Sequence, residues 1–211
     1  MSYILFGSKS TKNDYGFMVA PYAIPMPAVQ TNYVAIPGRD GSLDLTEGFG
    51  RIRYSDRVIS LTLYALAPHD TAVSEFVNDV HGKRMQLVFD KDADFYYIGR
   101  VSIDGLLKQD GYCVVTVTVF AEPYKYKRNI TTVSITGDGV VSLNNLKMAV
   151  VPQIAATAPA TLSYTSGSAT TYWSITAGTH VVPALILETS SNTLGVTTTG
   201  TVTFQYREGA L

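Results

Sequence analysis

Apolar and hydroxyl side chains alternate with a period of two through most of this chain, and that pattern confines it to half-buried β-strands. Ile59, Leu61, Leu63 and Ala65 alternate with Ser60, Thr62 and Tyr64; Val115, Val117 and Val119 alternate with Thr116 and Thr118. Successive side chains of a strand point to opposite faces, so each such run buries one face and wets the other. Residues 85–89 and 95–103 read as further strands, joined by the polar turn Asp90-Lys91-Asp92-Ala93-Asp94. One stretch breaks the pattern. Val73, Phe76, Val77 and Val80 fall at i, i+3, i+4 and i+7, which predicts a helix over 70–81. Asp70 reads as its N-cap and Gly82 as its stop. The expectation is a mostly β protein with one short α-helix covering a face or end of the first sheet.

Charge divides the chain in two. Residues 1–130 carry 14 Lys+Arg and 14 Asp+Glu, whereas residues 131–211 carry 2 and 3. Ser and Thr move the other way, from 15 to 25. Surfaces so different predict two domains, 1–130 and 131–211. The junction follows Pro123, Tyr124 and Tyr126. In the second part Ser and Thr alternate with Val, Ile, Leu and Tyr, which points to a β-sandwich or jelly roll rather than a disordered stalk. Thr136-Gly137-Asp138-Gly139 reads as a hairpin turn. Further strands are expected near 151–157, 160–165, 171–176, 183–189, 193–198 and 201–207.

The residues offer little chemistry. A formal charge of −1 gives no whole-chain attraction to nucleic acid or an acidic membrane. Cys113 is the only cysteine, so no intrachain disulfide forms; it reads as a small packed strand residue. His69, His81 and His180 have no partner at zinc-ligand spacing. The run Asp90–Asp94 resembles the opening of a calcium loop, but Phe95 and Val101 stand where that loop needs glycine and a carboxylate. Gly48-Phe49-Gly50 lacks the third glycine of a dinucleotide fingerprint, and neither a Walker loop nor a nucleophile elbow occurs. No segment approaches the ~20 apolar residues of a membrane span, and the N-terminus does not read as a signal peptide. The expectation is a protein made in the cytoplasm that builds rather than catalyses, without cofactor or metal.

Tyrosine is abundant, at 14 residues. Its ring suits strand packing, protein interfaces and sugar stacking alike. An alternative reading is therefore a carbohydrate-binding sandwich used in host adsorption, with Tyr164, Tyr172 and Trp173 as a stacking platform on the second part.

The most individual segment is Ile36-Pro37-Gly38-Arg39-Asp40-Gly41-Ser42-Leu43-Asp44, whose Pro-Gly and Asp-Gly pairs demand a sharp reversal. Arg51, Arg53, Tyr54 and Arg57 follow. Together they predict a charged hairpin arm or loop that reaches past its own domain and suits subunit clamping. With this turn, the Tyr54-x-x-Arg57 entry into an alternating strand, the Phe95–Arg100 strand and the Ala121–Tyr126 segment, the chain resembles the distal tail protein (Dit) family of long-tailed, non-contractile bacteriophages. Residues 145–152 and 200–209 resemble that family's C-terminal sandwich. The resemblance implies an N-terminal β-sandwich or barrel-like ring-forming domain and a galectin-like or carbohydrate-module-like C-terminal sandwich. It implies a virion protein of the tail tip, assembled in the host cytoplasm into a ring, as a rule hexameric. Its implied partners are further copies of itself, the tail tube protein, a tail-associated tip protein and a receptor-binding protein. The chain is short and has no room for an inserted sugar-binding module.

Overall fold

The computed structural model describes residues 2–48, 50–166 and 169–211, so Phe49 of the Gly48-Phe49-Gly50 motif lies outside the described residues. The chain divides into two compact units, Met1–Lys125 with Leu211, and Tyr126–Ala210. Both are mostly β, and the described residues hold one α-helix.

The first unit is built on a long antiparallel ladder. Its strands are β1 (Ile4–Phe6), β2 (Lys9–Ser10), β3 (Met18–Val19), β4 (Tyr33–Ala35), β5 (Ser42–Asp44), β6 (Arg57–Leu66), β7 (Arg84–Phe89), β8 (Phe95–Gln109) and β9 (Tyr112–Ala121). The main sheet runs β2-β1-β7-β8-β9-β6-β3, and β4 pairs β5 apart from it. β6 and β9 pair without interruption from Arg57↔Ala121 to Leu66↔Tyr112. The expected alternation holds along that ladder: Ile59, Leu61, Leu63, Val115, Val117 and Val119 are fully buried, while Val58 and Phe120 point outward. Helix α1 (Asp70–Val80) supplies Val73, Phe76 and Val80 to the same core. Phe76 lies edge-on to Phe6, Tyr15 and Phe17, with ring centroids 5.1–5.3 Å apart.

Two local expectations change. His69, not Asp70, occupies the N-cap, and no side chain caps it. Asp70 is already helical, and its carboxylate accepts from Lys108 Nζ at 2.5 Å instead of from the backbone. β8 continues beyond Ile103 through an irregularity at Ile103/Gly105 and turns at Gly111, whose φ of +90° suits glycine. The polar turn after β7 forms a short 3-10 helix, Asp90–Asp92.

The strand β10 (Lys125–Lys127) precedes the second unit's own strands: β11 (Thr131–Thr136), β12 (Gly139–Asn145), β13 (Gln153–Ala156), β14 (Ala160–Ser166), β15 (Ala169–Ile175), β16 (Gly178–Val181), β17 (Ser190–Thr198), β18 (Thr201–Tyr206) and β19 (Gly209–Ala210). Two four-stranded antiparallel sheets, β11-β18-β13-β16 and β12-β17-β14-β15, enclose one core of Leu143, Ile154, Leu162, Leu185, Leu187, Leu194, Val202 and Phe204.

The expected hairpin at Thr136–Gly139 is not one. β11 pairs β18 and β12 pairs β17, so this turn crosses from one sheet to the other. Its polar groups are met by the second crossing turn: Gly137 N–H donates to Gly200 O at 2.9 Å, and Asp138 accepts from Thr198 N–H at 2.8 Å. The expected strand at 183–189 is also absent. Pro183 cannot donate to a ladder, and Leu185 and Leu187 are buried as irregular backbone with a single bridge, Val150↔Leu187. Two buried asparagines replace the missing ladder. Asn145 donates to Leu187 O and Met148 O, at 3.0 and 2.7 Å. Asn192 accepts from Glu188 N–H and donates to Glu188 O, both at 2.9 Å. Removing such a side chain strands buried backbone groups. Asn192→Ala is therefore expected to lower the stability of this unit by roughly 2–4 kcal/mol in urea unfolding, with Thr197→Ala, on the exposed face, within about 0.5 kcal/mol of the parent.

Candidate functional site

The predicted arm exists as a two-railed extension of the first unit. At its root Gln30 N–H donates to Arg53 O at 2.9 Å, Ser55 N–H to Ala28 O at 2.8 Å, and Val29 bridges Tyr54. Farther out Leu45 N–H donates to Asn32 O at 2.7 Å, and Asn32 N–H to the Thr46 hydroxyl at 3.1 Å. β4 and β5 then pair Tyr33↔Asp44, Val34↔Leu43 and Ala35↔Ser42. The tip is Ile36–Gly41. Arg39 N–H closes on Ile36 O at 3.2 Å, with Pro37 and Gly38 (φ +80°) as the central pair of a type II turn. A second positive φ, +75°, falls at Gly41.

The outgoing rail and the tip are wet on all sides. Every residue from 28 to 42 is exposed, including Val29, Tyr33, Val34 and Ile36. Met26, just before the root, is 76% exposed. An isolated two-stranded ribbon is marginal in water, and this one carries a run of uncovered apolar side chains. Their sequence gives no sign of this exposure, because apolar residues in a short strand read equally well as core. Arg39 and Asp40 are exposed at the tip, and Arg51 and Arg53 on the returning rail.

Asp44 stabilises the arm's bend. Thr46, through its hydroxyl and its amide at 2.9 Å, and Tyr33 across the rail hold the Asp44 carboxyl below the usual carboxylate range. A depressed folded pKa stabilises above the unfolded value of about 3.9 and is lost as pH falls through the folded pKa. The Thr46 amide resonance is expected to titrate with a midpoint below about 3.9; a midpoint at or above that value contradicts the bond.

Arg57 differs from the rest of the set. It is 3% exposed, and its guanidinium donates to Pro123 O, and to Pro25 O at 3.4 Å. It also lies 5.2 Å from the centroid of the Tyr97 ring. Burial pulls its pKa down, yet a guanidinium stays charged. Beside it Tyr54 meets Tyr124 edge-on, centroids 5.9 Å apart, and desolvation raises the Tyr124 phenol. Two groups of residues read separately from the sequence thus meet: Tyr54 and Arg57 of the arm set, Pro123 and Tyr124 of the junction set. They fix the arm root to the end of the central ladder. Tyr126, in the second unit, is half-buried.

Sheet parity separates the three rings of the sugar platform. Tyr172 is 67% exposed on the outward face of β15, whereas Tyr164 and Trp173 are half-buried against the core. The other polar motifs are used internally. Asp90 accepts from the Tyr22 hydroxyl at 3.2 Å and Asp92 from Lys125 at 2.8 Å. His81 Nδ1 accepts from Ile103 N–H at 3.0 Å, and Cys113 is buried in the core.

Arg57→Ala is expected to destabilise the first unit by roughly 2–4 kcal/mol in chemical unfolding, and Arg57→Lys to recover little of it, because one ammonium does not reproduce the planar fork. Arg39→Ala, at the tip, is expected to stay within about 0.5 kcal/mol of the parent.

No family model and no curated protein matches the chain. A solved structure does. The chain is similar to the Dit protein (gp 19.1) of phage SPP1, described as a paradigm of the hub adsorption apparatus in phages infecting Gram-positive bacteria. The similarity has a TM-score of 0.71 at 14% identity and covers 98% of this chain and 99% of the SPP1 protein. From end to end, the fold is that of a phage distal tail protein.

Proposed function

We propose that this protein is a structural component of a phage tail tip, a hub ring rather than an enzyme. The observation that carries the reading is the fold likeness to the SPP1 hub protein over both whole chains. The exposed arm supports it. A closed ring is made of head-to-tail contacts, which need two different patches on each copy. The arm, with Tyr33, Val34 and Ile36, is one patch. The cross-strand pair Val58 and Phe120, 47% and 56% exposed on the outward face of the ladder, is the other.

Residues 1–130 close the ring, a hexamer, and join it to the tail tube. Residues 131–211, poor in charge, face the tail-associated tip protein and a receptor-binding protein. The chain is assembled in the host cytoplasm and ends in the virion. Among the described residues no helix is long and apolar enough to cross a membrane.

Purified protein is expected to weigh six times its 22.9 kDa protomer in light scattering and to form rings in negative stain. Val34→Asp and Phe120→Asp are each expected to yield folded monomers with parental circular dichroism. A parent that remains monomeric at high concentration, alone and with its tail partners, contradicts the ring. Rings that survive both substitutions contradict these contacts.

A further inference from the structure

From Met148 to Leu187 the chain carries no Lys, Arg, Asp or Glu, and this stretch supplies two of the second unit's edge strands, β15 and β16. β15 pairs only with β14, in unbroken register from Ala160↔Ile175 to Ser166↔Ala169. The direction of its free backbone groups follows from the neighbouring ladder. Thr198 N–H donates to Asp138, away from β14, at 2.8 Å. Backbone groups alternate sides along a strand. The odd residues of β17 therefore bond β14, the even residues of β14 bond β15, and Ala169, Thr171, Trp173 and Ile175 bond β14 in return. Thr170, Tyr172 and Ser174 turn their N–H and C=O out of the sheet. Among the described residues these six groups have no hydrogen-bond partner.

Exposed sheet edges are ordinarily blunted by shortness, charge, proline or a bulge. The first unit follows that rule: the edge strands of its main sheet, β2 and β3, have two residues each. On the other edges of the second unit's sheets, Arg128 precedes β11, Asp138 joins β11 to β12, and Lys147 follows β12. β15 has none of these devices. Its seven residues, Ala-Thr-Thr-Tyr-Trp-Ser-Ile, include no charge and no proline, and its register has no shift. Trp173, on the core side, is only half-buried, and Tyr172 is exposed on the opposite face. Among the described residues no strand lies beyond β15 to cover either ring.

Donors and acceptors at the two-residue repeat of a strand match one class of ligand, an extended polypeptide that adds itself to the sheet. Beside Trp173 such a strand sets an apolar side chain toward the core. Beside Tyr172 it sets an uncharged polar one, because no carboxylate, ammonium or guanidinium on β13 to β16 would pair with an ion. A second copy fits less well. β15 against β15 is a two-fold contact, whereas copies in a closed ring meet head to tail; this choice of occupant rests on the hub reading. We infer that the outer edge of β15 is a strand-addition site for an extended, uncharged segment of another protein, one that alternates apolar with hydroxyl or amide side chains.

Trp173 is the only tryptophan, so its fluorescence reports on this edge alone. The probe is an acetylated, amidated peptide with the β14 sequence Ala-Thr-Leu-Ser-Tyr-Thr-Ser, the chain's own partner for β15, titrated into the full-length protein. Saturable binding with a blue shift of the Trp173 emission is expected. N-methylation of alternate peptide amides is expected to weaken binding about tenfold or more in one phase and to spare it in the other, because only one set of amides faces β15. Tyr172→Pro, which removes the central outward N–H, is expected to weaken binding by a similar factor. So is the double substitution Thr170→Lys with Ser174→Lys, which leaves every backbone group in place and adds charge to the edge. No saturable binding, binding indifferent to both methylation phases, or binding that the lysine variant keeps overturns the inference. A parent whose mass doubles with concentration, and no longer does so in the lysine variant, overturns the choice of occupant. Ring mass is measured alongside. Rings that capture no peptide remove the edge site and leave the hub reading, whereas capture by a protein that stays monomeric removes the hub reading and leaves the edge site.

Discussion

Strand parity is the constraint from which the rest of this structure follows. Along the β6–β9 ladder every second residue is sealed in the core and its neighbour is committed to the outside. A shift of register by one residue would exchange the two sets, and Ile59, Leu61, Leu63, Val115, Val117 and Val119 hold it in place. The same rule that puts six aliphatic side chains inward puts Val58 and Phe120 outward, where the chain itself does not cover them. That uncovered apolar pair on the face of the ladder is the second patch of the proposed ring contact.

Arg57 links that ladder to the arm. It begins β6, and its guanidinium reaches the carbonyls of Pro25, ahead of the arm, and Pro123, beyond the end of β9. A buried cation bound to two carbonyls is a costly way to join three segments, but it fixes direction in a way that apolar packing does not. The arm therefore leaves the first unit from a root formed by Arg57, Tyr54 and Tyr124, while its far part pairs, among the described residues, along its own two rails. That combination, a fixed origin with an exposed reach, suits the proposed clamp on a neighbouring subunit.

How much of this was legible in the sequence depended on whether a residue's neighbours lay in the same strand. Period two gave the long strands, and the Val73-Phe76-Val80 spacing gave the helix to within a residue at its end. The Pro37-Gly38 turn gave the tip of the arm. Failures came where a local signal had a remote partner. The Gly137-Asp138 turn has the composition of a hairpin, but its hydrogen bonds go to residues 198–200 in the other sheet. Leu185 and Leu187 alternate like a strand, yet Asn145 and Asn192 take up the backbone groups that a ladder would have used. Tyr164, Tyr172 and Trp173 share a residue type but not a face: parity puts one ring outside and two against the core. Arg57 looked like one more arm charge, and no feature of its own segment shows that residues 25 and 123 meet it.

The central claim is that the arm of one copy lies on the ladder face of the next. An electron cryomicroscopy reconstruction of the purified assembly tests it most directly. The account predicts a closed ring in which residues 28–55 of each subunit cross the subunit boundary and cover Val58 and Phe120 of the neighbour. A ring in which each arm contacts only its own chain, leaving Val58 and Phe120 in solvent, would contradict it.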